Sequence, residues 1–165
     1  MRIAGTIQDS IVDGKGFRFV VFAQGCPHRC EGCHNPETHD SAGGREVPVV
    51  DIIREMLKNP LTDGLTLSGG EPFFQAGDSV KIAEAAVSAG LNVWTYTGYR
   101  FEELLDKGQK DADIMELLRL TDILIDGPFL LEQRSLALKW RGSKNQRILD
   151  MKKSLTEGRT VEIDL

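Results

Sequence analysis

All three cysteines of the 165-residue chain lie in one short segment, Cys26-Pro-His-Arg-Cys30-Glu-Gly-Cys33. Three residues separate the first pair and two separate the second. Buried cysteines usually have apolar neighbours, whereas the residues between these three are charged or polar residues, a proline and a glycine. We therefore predict an exposed loop whose thiolates bind a metal ion or a metal–sulfur cluster.

Three thiolates suit a [4Fe-4S] cube that does chemistry. They would bind three irons and leave the fourth without a protein ligand, so that a substrate or cofactor can bind there. A structural zinc site of the Cys3His type, with His34 or His39 as the fourth ligand, also fits the spacing. Structural zinc usually compensates for a small core, and this chain is long enough for an ample one. An odd number of clustered cysteines also argues against a disulfide framework.

The elements around the cysteine loop alternate between strands and helices. Strands are predicted at Gly16–Phe22, Gly64–Ser68, Leu91–Thr97, Ile123–Asp126 and Gln146–Leu149. Helical patterns cover Val49–Leu57, Asp78–Ala89, Arg100–Leu105 and Asp111–Leu120. Residues 1–15 are mixed in character, and residues 160–165 form an edge strand or a tail. This order predicts an α/β fold with a mostly parallel, curved sheet and right-handed crossovers.

The residues best suited to bind a ligand or take part in a reaction come at the ends of these strands. Cys26, the Gly69–Glu71 turn, Thr97 and Asp126 each follow or close a predicted strand. The carboxyl ends of parallel strands form the ligand site in such folds. A complete eight-fold barrel needs about 250 residues, so we expect an incomplete barrel.

Several motifs together resemble one known family. The Cys-x3-Cys-x2-Cys spacing is similar to the signature of the radical S-adenosylmethionine (SAM) superfamily. The further motifs look like those of the anaerobic ribonucleoside-triphosphate reductase-activating proteins, over essentially the whole chain. They are Asp13-Gly14-x-Gly16-x-Arg18, Gly32-Cys33-His34-Asn35-Pro36, Ser68-Gly69-Gly70-Glu71-Pro72 and Trp140-Arg141-Gly142-Ser143-x-Asn145-Gln146-Arg147.

The resemblance implies a single radical SAM domain over residues 1–165, with a [4Fe-4S] cluster and SAM as cofactors. Reductive cleavage of SAM would give methionine and a 5′-deoxyadenosyl radical. That radical would take a hydrogen atom from a glycine of the large subunit of the anaerobic reductase. A flavodoxin-like protein would supply the electron. The alternative is another small radical SAM enzyme, such as a pyruvate formate-lyase type activating enzyme or 7-carboxy-7-deazaguanine synthase.

The same resemblance assigns roles to individual residues. Cys26, Cys30 and Cys33 would bind the cluster, and no catalytic residue is implied beyond it. The implied SAM-binding residues are His34, Asn35, Gly69, Gly70, Glu71, Thr97, Asp126 and Arg141. His34 would replace the aromatic residue that many superfamily members carry before the third cysteine, where this chain has Gly32.

Some of these roles have structural alternatives. Asp126 is also suited to capping a helix or turn. The donor-rich group of Arg141, Ser143, Asn145 and Arg147 either binds SAM, docks the reductase or ties its own loop together. His28 and His39 are predicted to be surface residues.

Charge and composition limit the possible partners. The net charge is −5, but residues 139–159 carry seven basic residues against two acidic ones. This segment is either a solvated basic face or a surface for an anionic ligand group or an acidic partner, and it is the candidate region for docking the reductase. Aromatic residues are not interleaved with these basic residues, which argues against nucleic acid. No apolar run approaches the roughly 20 residues of a membrane span, and the N-terminus lacks a signal-peptide pattern. A cytoplasmic location is expected.

Overall fold

Seven strands and five α-helices make up the chain, and the computed structural model describes residues 1–165. The strands are β1 (Arg2–Ser10), β2 (Arg18–Ala23), β3 (Arg45–Glu46), β4 (Gly64–Gly69), β5 (Asn92–Tyr96), β6 (Ile123–Asp126) and β7 (Arg147–Asp150). The helices are α1 (Val49–Met56), α2 (Ala76–Ser88), α3 (Phe101–Gly108), α4 (Ala112–Leu120) and α5 (Met151–Glu157). All strands belong to one sheet in the order β3-β1-β2-β4-β5-β6-β7.

The four central strands, β2, β4, β5 and β6, run parallel to one another. Helix α2 connects β4 to β5, and α3 and α4 connect β5 to β6. This arrangement confirms the α/β class that the alternation of strands and helices predicts. The sheet is open, because β3 and β7 lie at its two ends.

The edges of the sheet differ from the prediction. Strands β1 and β3 on one side and β7 on the other run antiparallel to their neighbours, so the sheet is mixed, with a parallel centre. Strand β1 is missing from the sequence prediction. Its pairing with β2 shifts register after Ile3 and again after Ile7, which breaks the regular alternation of buried and exposed residues.

The two faces of the sheet have different coverings. Alternate strand residues such as Phe19, Leu65 and Val93 join a core of 24 buried residues that includes residues from all five helices. Successive side chains of a strand point to opposite faces. Trp94 and Ile125 therefore lie on the other face, in a small cluster packed against the loop residue Trp140. This second face borders the cavity described below.

The helices mostly begin and end within two residues of the predicted positions. Helix α1 places Ile52 and Met56 in the core, and α3 continues beyond its predicted end at residue 105. Helix α5 is not predicted, because its seven residues bury only two side chains and leave a weak apolar pattern. Residues 160–165 form no regular strand, but an isolated bridge joins Leu149 to Glu162, and the amide of Ile163 donates to the carbonyl of Ile148 at 2.9 Å. None of the helices has the length and apolar character to cross a membrane.

Candidate cluster and cofactor site

A cavity of about 500 Å³ lies at the carboxyl ends of the parallel strands. Nine of the eleven residues predicted for the site line it. They are Cys26, Cys30, Cys33, His34, Asn35, Gly69, Gly70, Thr97 and Arg141. Strands β2, β4 and β5 are parallel neighbours, so the loops that follow them meet at one edge of the sheet. The remaining two predicted residues, Glu71 and Asp126, do not line the cavity.

The cysteine loop follows β2 directly and is tied to the chain that comes after it. The amide of Gly25 donates to the carbonyl of Thr38 at 2.8 Å, and the amide of Cys26 donates to the carbonyl of His39 at 3.2 Å. The loop turns at Gly32, whose φ of +71° is readily adopted by glycine. The amide of Asn35 donates to the sulfur of Cys33 at 3.4 Å. The loop thus presents partly exposed, unpaired thiols to the cavity.

The environment of the thiols suits ligands that lose their protons when metal binds. Burial raises the pKa of both the Cys26 and the Cys33 thiol, because a partly buried site disfavours a free thiolate. Iron would replace the proton and supply the compensating positive charge. Three half-buried thiols on one cavity wall therefore fit the ligand set of an iron–sulfur cluster.

The same side chains do not form a site for one metal ion. No group of three or more histidine, cysteine, aspartate or glutamate side chains is placed to hold one. The ring of His34 packs against Phe129, with 5.1 Å between ring centroids, and the Nε2 atom of His39 is buried without a hydrogen-bond partner. The side chains of the Cys3His alternative are thus not grouped around one point. Cluster ligands bind separate irons and need not converge on one point.

The Gly69–Gly70 turn lies directly against the strand and loop that carry the cysteines. The amide of Gly70 donates to the carbonyl of Ala23 at 2.8 Å, and the amide of Glu71 donates to the carbonyl of Gly25 at 2.9 Å. A Cβ atom on Gly69 would lie 2.6 Å from the Cα of Phe22. A Cβ on Gly70 would lie 2.5 Å from the carbonyl oxygen of Gly25. The glycines thus allow close approach between two backbones.

Replacing Gly70 with alanine should destabilise the protein, because the added methyl group meets backbone atoms that cannot rotate away. We expect a loss of about 1–3 kcal/mol in the free energy of unfolding, as for other overpacked positions. Urea denaturation of the cluster-free protein measures it. The matched control is G5A, since a Cβ on Gly5 meets nothing within 4 Å. Equal stability of the two variants would contradict the close backbone contact.

Glu71 is fully buried, and its carboxylate is bonded within the protein. It accepts hydrogen bonds from the Thr97 hydroxyl at 2.9 Å and from the Gly98 amide at 3.0 Å. It also accepts one from the amide of Phe73 at 3.1 Å, which caps the 3-10 helix Pro72–Gln75. The side chain of Thr97, in contrast, reaches both this carboxylate and the cavity wall.

Asp126 is likewise fully buried and bonded to other elements. Its carboxylate accepts from the amide of Phe101, the first residue of α3, at 2.7 Å. It also accepts from Nε of Arg147 at 2.9 Å and from a second guanidinium nitrogen of the same residue. Arg147 in turn donates to both carboxylate oxygens of Glu102. The bond from the first amide of α3 is the contact expected of a helix cap, which is the structural alternative for Asp126.

The donor-rich loop that precedes β7 is largely bonded to itself. The side-chain oxygen of Gln146 accepts from the amides of Gly142 and Ser143, at 2.8 and 3.1 Å. The side-chain nitrogen of Asn145 donates to the carbonyl of Pro128 at 2.7 Å. Arg141 donates a hydrogen bond from Nη1 to the carbonyl of Gln146 at 2.7 Å, and this residue also lines the cavity.

Comparison with known proteins agrees with this geometry. The profile of a family described as a 4Fe-4S single cluster domain matches residues 12–149. The anaerobic ribonucleoside-triphosphate reductase-activating protein of Escherichia coli (strain K12) is 34% identical over 146 residues, which cover 82% of this chain and 90% of that protein. The proteins of the same name from Vibrio cholerae and Enterobacteria phage T4 are 36% and 34% identical over 146 residues, covering 84% and 83% of this chain and 90% and 86% of theirs.

The chain belongs to the anaerobic ribonucleoside-triphosphate reductase-activating proteins. Every residue that lines the cavity, from Val12 to Gln146, lies within the segment that the cluster-domain profile matches. In this activating protein, the cavity is thus built from residues of the matched family segment.

Several basic residues of the segment 139–159 form ion pairs within the chain. Four of its seven basic residues pair with carboxylates. These pairs are Arg147 with Asp126 and Glu102, Lys152 with Asp122, Lys153 with Asp150, and Arg159 with Glu157. The cations without such a pair are Lys139, Arg141 and Lys144. The candidate docking region therefore combines three cations that have no carboxylate partner with four that are paired.

Two histidines differ from their predicted surface positions. The side chain of His28 is only 16% exposed, and its Nε2 lies 2.9 Å from a carboxylate oxygen of Glu71. His39 is half-buried, and both rings border the cavity. The position of His28 between two cysteines is the one feature of the sequence that could have indicated a role in the site. The carboxylate that it contacts belongs to Glu71, 43 residues away in the chain.

The sequence analysis does not predict the aromatic residues of the cavity. Tyr96 and Trp140 line it, and the indole of Trp140 meets that of Trp94 edge to face, with 5.7 Å between centroids. The guanidinium of Arg18 lies 5.3 Å from the Trp94 ring and donates to Thr66 at 3.0 Å. Burial lowers the pKa of Arg18 to about 10. The alternation along β5 could have indicated that Trp94 and Tyr96 share a face.

Proposed function

We propose that this protein is a radical SAM activase that generates a glycyl radical on anaerobic ribonucleoside-triphosphate reductase. The observation that carries the proposal is the position of the chain's only three cysteines on the wall of a cavity of about 500 Å³. Three thiolates leave one iron of a [4Fe-4S] cube open. The names of the relatives supply the target.

The cluster, when bound, would supply the electron for cleavage of the C5′–S bond of SAM. The products would be methionine and a 5′-deoxyadenosyl radical, which would take a hydrogen atom from the glycine of the reductase. Cys26, Cys30 and Cys33 would hold it. The cavity volume is within the range of pockets that enclose small ligands. Its walls offer both polar and aromatic groups for such a molecule.

Individual residues can be given roles in binding SAM. The Gly69–Gly70 turn brings backbone groups to the cavity wall, where they can bond the amino group of the methionine moiety. Arg141 offers positive charge for its carboxylate. His34, packed on Phe129, and Asn35 lie beside Cys33 on the same wall, which suits contact with the adenine.

The fold supports the same proposal at a coarser level. The parallel strands β2, β4, β5 and β6 would form the centre of an incomplete (β/α) radical SAM barrel. Residues 1–165 would make up a single radical SAM domain. The electron donor would be a flavodoxin-like protein. The exposed Lys139 and Lys144, on either side in sequence of the cavity-lining residues Trp140 to Gly142, provide positive charge for an acidic partner.

The test combines the anaerobically purified and reconstituted protein with a reductant, SAM and the large subunit of an anaerobic ribonucleoside-triphosphate reductase. We expect an EPR doublet from a glycyl radical on the reductase, together with methionine and 5′-deoxyadenosine. Reactions without SAM or without the reductase are the controls. Cleavage of SAM without a glycyl doublet would favour another radical SAM activity. Absence of cleavage in the cluster-loaded protein would refute the proposal.

A further inference from the structure

The buried carboxylate of Glu71 connects three loops at the edge of the sheet. Glu71 follows β4, and its carboxylate accepts from Thr97 and Gly98 in the turn after β5. The same carboxylate oxygen that bonds Gly98 lies 2.9 Å from Nε2 of His28, in the loop after β2. No atom of Glu71 belongs to the cavity wall. The carboxylate therefore joins the cysteine loop to the two neighbouring turns from behind the residues that line the cavity.

The ring of His28 sits in a slot that fits it closely. It meets the ring of Tyr99 edge to face, with 4.4 Å between ring centroids. On another side it lies against the backbone of Gly98, where a Cβ atom would be 2.3 Å from the Cδ2 of His28. Such a distance leaves no room for any side chain at position 98 while the ring stays in place. His28 is thus held on several sides, although it lies in a loop.

The backbone reinforces the same connection. The amide of Glu71 donates to the carbonyl of Gly25, the residue before Cys26. The start of the cysteine loop is therefore fixed by the backbone of the Gly69–Glu71 turn, and the segment between Cys26 and Cys30 is fixed by the side chain of Glu71 through His28. Two ligands of the proposed cluster flank this histidine in sequence.

We infer that His28 and Glu71 are positioning residues, which hold the Cys26–Cys30 segment against the Gly69–Gly70 turn and so set the place of the open iron relative to bound SAM. The inference rests on the proposed SAM-cleaving function. Groups that orient metal ligands without touching the metal commonly matter for affinity or activity, and small errors in the placement of reacting groups reduce rates strongly. Glu71 thereby acts through the cysteine loop, because its carboxylate is bonded to the cavity-lining residues His28, Thr97 and Gly98 and does not itself line the cavity.

The first test uses the cluster-free protein and needs no activity. We expect H28A to exchange the amide hydrogens of residues 26–33 faster than the wild type, as measured by mass spectrometry, because the loop loses its side-chain anchor. H28Q should restore part of the protection, since the amide nitrogen of glutamine can take the place of Nε2. The control is E31A, an exposed position in the same loop. Unchanged exchange in H28A would overturn the inference.

The second test displaces the ring without removing either partner. G98A places a methyl group where His28 lies, so we expect it to increase exchange in residues 26–33 as H28A does. The double variant G98A/H28A should be no worse than the more affected single variant, because the clash disappears with the ring. Additive effects of the two substitutions would show that Gly98 acts independently of His28 and would contradict the inference.

The third test asks whether the loop position matters for the reaction. We expect H28A to keep the iron content of the wild type after reconstitution but to lose about 10–100-fold in kcat/KM for SAM cleavage, as for other residues that orient metal ligands. H28Q should recover part of this loss. Wild-type kcat/KM in H28A would overturn the inference. Failure of the wild type to cleave SAM would instead refute the proposed function, while the exchange experiments would still decide whether His28 and Glu71 hold the loop.

Discussion

Replacing Cys30 with serine should remove the cluster and, with it, all cleavage of SAM. The chain has three cysteines and no fourth thiol that could take over a lost position. A serine hydroxyl is a poor substitute, because iron–sulfur clusters are held by thiolates. We therefore expect the reconstituted variant to contain little iron and sulfide, and to yield no 5′-deoxyadenosine and no glycyl radical. Iron and sulfide analysis together with EPR of the reduced protein measures this result.

The matched control for this substitution is Glu31→Ser. Residue 31 is exposed and adjoins Cys30 in the same loop, so this variant changes the loop without removing a proposed ligand. It should bind a full cluster and cleave SAM at the wild-type rate. A C30S protein that kept its full complement of iron and sulfide would show that Cys30 is not a ligand. The same measurement on C26S and C33S completes the ligand set.

The parts of the site that the sequence predicts well are those whose signals are local. Cys26, Cys30 and Cys33 are close in sequence, and the strand before them is strongly apolar. The parallel order of β2, β4 and β5 then brings the residues after each strand to one cavity. Alternation of strands and helices is enough to predict this arrangement, because parallel strands need crossover connections that return the chain to the same end of the sheet.

The parts that the sequence does not predict depend on pairs that are distant in the chain. Glu71 follows β4 and Asp126 ends β6, as ligand-binding residues often do, and both are predicted as cofactor contacts. Yet the carboxylate of Glu71 is bonded to His28 and Thr97, and that of Asp126 to Arg147. A buried carboxylate needs such partners. Which residues supply them is decided by tertiary packing, which motif and periodicity do not encode.

Replacing Arg147 with methionine should strongly destabilise the protein. Asp126 is fully buried, and Arg147 supplies two of its hydrogen bonds and the only positive charge paired with it. The hydrogen bonds that Arg147 donates to Asp126, and then those to Glu102, raise the pKa of Arg147 above its usual range, in keeping with a strong ion pair. Removing one partner of a buried pair leaves an uncompensated charge, which typically costs about 3–5 kcal/mol. Urea denaturation of the cluster-free protein measures the loss.

Two further variants separate this ion pair from general effects at the same place. E102Q removes the outer ion-pair partner of Arg147. The side chain of Glu102 is 57% exposed, so this substitution should lower the free energy of unfolding by less than about 1 kcal/mol, as for other exposed pairs. D126N in the R147M background removes the buried charge while keeping an acceptor for the amide of Phe101. The double variant should therefore be more stable than R147M alone. If R147M cost no more than E102Q, Asp126 would not depend on Arg147, and the link between β6, β7 and the start of α3 would lie elsewhere.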